Sequence, residues 1–575
     1  MKKLLMLTFL FTSFFCEAQQ YLTYIEWQKT IGGIGDDYLY SIEKTADGGY
    51  ILGGSSNSSI SGEKTDNNRG GQDYWVIKLD VNGTIEWQKT IGGSRDDILS
   101  SVQQTTDGGY ILGGDSRSNL SGEKTDNCRG DYDYWVVKLN AEGNIVWQKT
   151  IGGSTTDKLN RLQQTIDGGY ILGGWSDSNI SEEKTENSRG GQDYWVIKLS
   201  VNGSIEWQKT IGGNYQDYLY SIQQTTDGGY ILGGGSESDI SSEKTEDKRG
   251  CCFDYWILKL STNGTIEWQK TIGGYNDAEY VKSIQQTTDG GYILGGSSGS
   301  NISGEKTDSC RGYKDYWVIK LTANGTMEWQ KTIGGKEYDN FYSIKQTTDN
   351  GYILGGSSSS NVATEKTDSC RGYNDYWIIK LSSNGTVEWQ KTIGGTGYDD
   401  LYSIQQITNN EYILAGYSNS NIASEKTEDG RGSFDYWIVK LKVIDKPSSI
   451  IGKIFQSVNT NCTQETNEKG IQNVLVQTQK NGFFGISDST GKYSILTDTG
   501  IYNVKPIYSN LQKPFLQGTA CPSIGYHTVS FSQYGQDTSE INFANYEKQC
   551  AYLQVELAQA RMRRCFNNNT TIKYC

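Results

Sequence analysis

Short apolar and aromatic runs, broken at near-regular intervals by glycine, asparagine and aspartate, recur along most of the chain. In one such stretch, Leu99 to Thr105 reads as a strand that ends at the turn Thr106-Asp107-Gly108-Gly109, and Tyr110 to Gly114 opens the next. An Asp-Gly pair between extended runs is a hairpin signal, because glycine accepts positive φ. A polar loop then runs from about Ser116 to Asp133. Tyr134 to Leu139 is a third strand, its aromatic and β-branched residues suited to a pleated, buried surface. Ala141-Glu142-Gly143-Asn144 turns the chain, Ile145 to Ile151 is a fourth strand, and Gly152-Gly153 leads into the next copy.

The pattern repeats with a period of about sixty residues. A Trp-Gln-Lys motif stands at Trp27, Trp87, Trp147, Trp207, Trp268, Trp329 and Trp389. A Tyr-Trp motif stands at Trp75, Trp135, Trp195, Trp256, Trp317, Trp377 and Trp437. Four antiparallel strands per copy make a blade, and seven copies predict an all-β, seven-bladed β-propeller. The ends fit a closed ring. The chain enters with a fourth-strand motif, Tyr24 to Thr30, and its last copy stops at a third strand, Tyr436 to Leu441. Pairing Ile25–Ile31 beside that strand leaves no open sheet edge there. In this order the first strand after each Gly-Gly lies nearest the axis and the Trp-Gln-Lys strand outermost. The long polar loops share one face of the disc with the Gly-Gly linkers, and that face or the channel mouth is where a binding site is expected.

Composition adds to this picture. Glycine, at 70 residues, and abundant tyrosine and tryptophan suit many short strands and tight turns. A net charge of −14, with lysine and arginine spread over fixed repeat positions, excludes a nucleic-acid partner. Lys2 and Lys3, the short apolar run Leu4 to Phe15 and Cys16-Glu17-Ala18 predict a signal peptide over 1–18 and an exported protein, secreted or on the outer cell surface. No later segment is apolar enough for a transmembrane helix.

The Trp-Gln-Lys-Thr-Ile-Gly-Gly, Gly-Gly-Tyr-Ile-Leu-Gly-Gly and Asp-Tyr-Trp-Val-Ile-Lys-Leu motifs resemble the propeller repeats of secreted bacterial proteins that use type IX secretion, over roughly residues 22–442. The resemblance implies fold and export, and brings no cofactor site. Residues 19–445 are therefore assigned to the propeller. Further on, Ile451 to Phe455, Gly470 to Val474, Asp488 to Tyr493 and Gly500 to Val504 resemble a small C-terminal β-sandwich, of the carboxypeptidase-regulatory-like and serine-aspartate-repeat B-type modules. It is assigned to 446–543, and the resemblance implies a stalk or spacer. In the B-type modules an acidic loop binds calcium. Here that loop reads Ser457, Asn459, Asn461, Glu465 and Glu468, with serine at the leading position, which makes it a weak calcium candidate. No other cofactor is expected. Residues 544–575 resemble the start of a further β-domain, apparently truncated.

Candidate site residues fall into those the repeat shares and those that break it. Asp37, Asp97, Asp157, Asp217, Asp277, Asp339 and Asp399 follow the Gly-Gly linkers as an inner-rim acidic ring. Such a ring can hold a cation, but use in all the blades favours a turn-capping role. Glu63, Lys64 and Arg69, with Asp73, and their equivalents suggest an ion pair that pins each long loop. Trp175 and Tyr417 stand at one position where other copies carry small or acidic residues. They are ligand-binding candidates, Trp175 being either a stacking platform or packed under its own loop. Cys128, Cys310 and Cys370 share a loop position and Cys251-Cys252 is a lone pair, so disulfides between loops are expected. Cys462 with Cys521 is the expected sandwich disulfide. The single histidine, His527, lies outside the propeller, which excludes a Ser-His-Asp or metal-His mechanism there.

No catalytic residues are nominated. The uniform blades favour an exported, non-enzymatic binding or scaffold protein that presents a propeller face to a glycan or protein ligand. A carbohydrate-active hydrolase or lyase, and a structural cell-surface component, are the alternatives. An enzyme is expected to break the pattern near the axis in one or two blades.

Overall fold

The computed structural model describes residues 21–547, except 364, 458–461 and 510–515. The expected signal peptide, Asn459, Asn461 and the segment 548–575 lie outside the described residues. The described residues are all strand, turn and loop, without a helix, and hence no helix able to cross a membrane.

From Tyr24 to Lys442 the chain is a β-propeller. Among the described residues it has seven four-stranded antiparallel sheets. The first blade is Asp37–Lys44, Tyr50–Ser56, Asp73–Leu79 and Ile85–Ile91, paired in sequence order. The next five repeat that order. In the seventh, Asp399–Thr408, Glu411–Ser418 and Asp435–Asp445 pair in turn, and the outermost strand is Tyr21–Ile31 from the start of the chain. Trp437 donates its indole N–H to the Gln28 side chain at 3.0 Å, as Trp75 does to Gln88 within the first blade.

Apolar residues alternate within each strand and meet between sheets, so the cores lie at the joints. One joins Leu39, Ile42, Leu52 and Trp75 of the first blade to Ile413, Tyr436 and Ile438 of the seventh. Paired glycines in the second strands bring neighbours this close. A Cβ at Gly54 would sit 2.0 Å from the Tyr38 carbonyl and 2.6 Å from the Tyr436 hydroxyl. That hydroxyl reaches past Gly54 to donate to the Trp75 carbonyl. Each first strand also shifts register near its middle, for example between Leu39 and Ser41. A bulge there turns consecutive side chains toward the same side.

The unit from Val443 onward has two sheets. One contains Lys492–Thr497, Ser448–Ser457, Phe543–Glu547 and Leu516–Cys521, with Asp537–Thr538 also on Ser448–Ser457. The other is Phe484–Ile486, Leu475–Thr478, Gly500–Ile507 and His527–Phe531.

Candidate functional site

The shared charged residues serve the joints. Asp37 is fully buried; its carboxylate accepts the Gly33 N–H at 2.7 Å and the Ser58 hydroxyl at 3.0 Å. Asp97, Asp157, Asp217, Asp339 and Asp399 repeat the glycine contact. Asp277 does not belong to this ring. The fifth linker is one residue longer, and Glu279 takes the place, accepting from Gly274 at 2.8 Å and from Ser298 at 2.7 Å. Asp277 instead pairs with Lys314 at 3.3 Å.

Among the described residues the loop arginine meets the expected aspartate only at Arg311–Asp315 and Arg371–Asp375, 3.7 and 3.8 Å apart. Asp73 accepts the backbone N–H of Arg69, while the guanidinium crosses to Glu123 of the next blade at 2.8 Å. Arg129–Glu183, Arg189–Glu243, Arg249–Glu305, Arg311–Glu365, Arg371–Glu425 and Arg431–Glu63 complete the circuit at 2.6 to 3.0 Å. The reach of arginine suits a planar contact across a joint better than one to a carboxylate four residues on. Lys64 is buried beneath the loop, donating to the Thr90 hydroxyl at 2.5 Å and lying over the Trp75 ring. Burial pushes this lysine down to about 8. It also pushes Asp73 up to about 7.

The first strands of all seven blades line a central cavity of about 650 Å3. Most of its wall is structural. The Gln103 side chain accepts the backbone N–H of Gln164 in the next blade at 2.7 Å, and Gln163, Gln223, Gln285 and Gln405 act alike. Two positions before each glutamine, the hydroxyls of Ser41, Ser101, Ser221 and Ser283 accept from the next inner strand.

Four charged residues break this wall. Glu43 replaces a glutamine and still accepts, from the Gln104 N–H at 2.7 Å. Lys345 replaces another and has no acceptor to offer. Arg161 replaces a serine. Lys282 stands where other blades carry Tyr40, Ser100, Asn160, Tyr220, Tyr342 and Tyr402, and its ammonium lies 3.5 Å from the centre of the Tyr220 ring. Burial raises the Glu43 carboxyl, against the pull of the Gln104 N–H, Arg161 and Lys345. Burial and Arg161 push Lys345 down to about 8. Burial and Lys314 do the same to Lys282. The blades are therefore not uniform where they face the axis. The signal was in the sequence, as one arginine in a column of six serines, but only the bulge shows that this column faces the channel.

Trp175 and Tyr417 each join an aromatic group behind the channel wall. Trp175 is half-buried and meets Tyr218 edge-on at 5.3 Å, and Tyr218 continues to Phe253 and Tyr220. Tyr417 packs on Tyr38 at 4.8 Å and Tyr402 at 5.3 Å, and Tyr402 stacks on Tyr342 at 4.2 Å. Both candidates thus support tyrosines that line the cavity.

The propeller cysteines do not link loops. Cys251 and Cys252 are bonded to each other, and Cys128, Cys310 and Cys370 are free thiols. Each free thiol sits within its own loop, where its sulfur contacts a backbone carbonyl such as Gly312 or Gly372. In the second unit Cys462 and Cys521 are bonded. Of the calcium candidates, Glu468 is buried and its carboxylate accepts the Ser457 hydroxyl at 2.7 Å and the Glu465 N–H at 2.9 Å.

No protein-family model matches the chain. The regulatory protein FlaEY of Caulobacter vibrioides is 22% identical over 289 residues, which span 46% of this chain and 30% of that protein. Among solved structures, BamB from Moraxella catarrhalis shares 12% identity at a TM-score of 0.36, over 73% of this chain and 100% of that one. The WD40 domain of Neurospora crassa Pan2 shares 12% at a TM-score of 0.37, over 72% and 95%.

Proposed function

We propose that this chain is an exported, non-enzymatic binding protein that holds a glycan or protein ligand at the central channel of its propeller. One observation carries the reading. The arginine–glutamate pairs run around the whole ring, while the channel wall departs from the repeat with cations, tyrosines and one carboxylate. Departures gathered at the wall of a cavity suit ligand recognition on a repeat scaffold. Export rests on the leader-like start of the sequence and fits the Cys462–Cys521 bond. The unit from Val443 onward is the spacer that its module resemblance implies, and the repeat resemblance points to type IX secretion and the cell surface.

A glycoside hydrolase needs two carboxyl groups facing the substrate. Glu43 is the one carboxylate among the channel-lining residues, and its oxygen is already engaged by Gln104. The test is a glycan-array and polysaccharide pull-down with the full chain, followed by chromatography of the ligand. Retention without shortening is the expected result. Shortened products would remove the non-enzymatic reading, and no retention on any glycan or candidate protein would leave a structural role.

A further inference from the structure

Arg161 and Lys345 are placed in the channel at the loss of a joint hydrogen bond, and Lys282 adds a third cation to the same wall. In other blades the Arg161 position is a serine whose hydroxyl accepts a neighbour's N–H, and the Lys345 position is a glutamine that does the same. A cation can accept neither bond. Each lost bond costs stability, and confining a charge in a narrow cavity adds a desolvation cost. Among the described residues none of the three side chains makes an ion pair or a hydrogen bond. Glu43 attracts Arg161 and Lys345 without touching either. Three cations against one carboxylate leave the wall positive, in a chain whose net charge is −14.

The rest of the lining says what kind of anion fits. Tyr40, Tyr220, Tyr342 and Tyr402 add aromatic carbon and phenol groups to the wall, and serine, asparagine and glutamine side chains surround them. Ring faces stack on the C–H faces of a sugar, and hydroxyls and amides match its hydroxyl groups. The cavity volume lies within the range of sites that enclose a small ligand. A bare inorganic anion would leave the tyrosines without a role.

Resting on the binding function proposed above, we propose that the channel binds an acidic saccharide of the uronate type, its carboxylate held by Arg161 and Lys345 and its sugar ring set against the Tyr220 and Lys282 side of the wall.

Isothermal titration of the full chain with trigalacturonate, neutral galactotriose and inorganic phosphate tests this. Arg161→Ser and Lys345→Gln restore residues that other blades carry at those positions, so both variants should fold. The wild type is expected to bind trigalacturonate at least ten-fold more tightly than galactotriose or phosphate. The double variant should lose at least ten-fold for trigalacturonate, with a melting temperature equal to or above that of the parent. Glu43→Gln, which removes the competing carboxylate, should tighten trigalacturonate several-fold. Equal affinity for acid and neutral sugars, or acid binding that survives in the double variant, would overturn the acidic-saccharide assignment while leaving a binding protein. Phosphate bound as tightly as trigalacturonate would reduce the site to a general anion site. Failure of all three probes overturns the assignment, and the pull-down above then decides whether the binding function falls with it.

Discussion

The guanidinium of Arg431 lies 2.9 Å from the carboxylate of Glu63, across 368 residues of chain. This pair is the seventh of its kind and the one that joins the last blade to the first. Tyr436 and the Trp75 carbonyl, 3.0 Å apart, meet across the same seam. Closure depends on the strand Tyr21–Ile31. Removing residues through Ile31 strips Trp437 of its Gln28 acceptor and Lys426 of Thr30. It also leaves Asp435–Asp445 as an open edge, which invites aggregation. The truncated chain is expected to melt well below the parent and to form oligomers on size-exclusion chromatography. Gln28→Ala alone should cost about 1–3 kcal/mol in urea unfolding. A truncation that melts like the parent would sink the closed ring.

The paired glycines of the second strands make unequal demands. A Cβ at Gly113 meets only side-chain carbons of Leu159 and Leu162, at 2.9 and 3.0 Å, and the seventh blade already carries Ala415 at this position. A Cβ at Gly114 falls 1.9 Å from the Ile98 carbonyl, a backbone atom that cannot step aside. Gly113→Ala is expected to cost about 1 kcal/mol or less, and Gly114→Ala about 3 kcal/mol or more. Chemical denaturation of the two variants compares them directly, and similar values would contradict the packing described.

Acidity should stabilise the propeller before it harms it. Burial is the main reason that Asp73, Asp157, Asp217 and Asp254 are pushed up to about 7, against 3.8 when unfolded. Between those values the folded state holds protons that the unfolded state has released, so stability falls as pH rises through the window. Burial pulls Asp47, Asp107, Asp227 and Asp289 up as well, but bonds from lysine and threonine neighbours outweigh it and hold them at about 2. Their contribution is lost as pH falls below 3.8. Lys64 and its equivalents, pushed down to about 8, let stability recover at higher pH. The melting temperature should therefore peak at about pH 4–5 and decline toward about pH 7–8. Calorimetry from acid to mild alkali checks this, and a rise between pH 5 and 7 would contradict it.

Much of this fold was legible from the repeat. Trp27 without a preceding third strand and Trp437 without a following fourth gave away the closure, because strand pairing leaves few ways to satisfy both ends. The ring of acids was legible except at one blade. Asp277 matches the pattern by letter, but an added linker residue moves Glu279 into the space, and only coordinates show a longer side chain doing the same bonding. Arg69 was assigned to Asp73, its neighbour in sequence, since a partner 54 residues away is invisible without the blade-to-blade register. The channel residues were hidden for another reason. A simple alternation sends every second residue to one face, and the bulge at Tyr40 and its equivalents places Tyr40, Ser41 and Glu43 on the wall together.

The free thiols should be slow to react. Burial, with Asp133 and Asp375 close by, pushes Cys128 up to about 12 and Cys370 up to about 11. The thiolate is the reactive form. At pH 8, iodoacetamide is expected to label both only after denaturation, as read by peptide mass spectrometry. Labelling of the native protein within minutes would show that the loops do not enclose them.

Every joint repeats the arginine–glutamate pair and the tyrosine hydroxyl contact, so neither contact labels one neighbour against another. An unequal exchange between two repeats of the gene would delete or add a whole blade and leave each such tyrosine and arginine at the new junction with a partner. What such an event would change is the set of side chains around the axis, one blade's contribution at a time. Recombination between repeats would therefore change the number of blades and the side chains of the channel together.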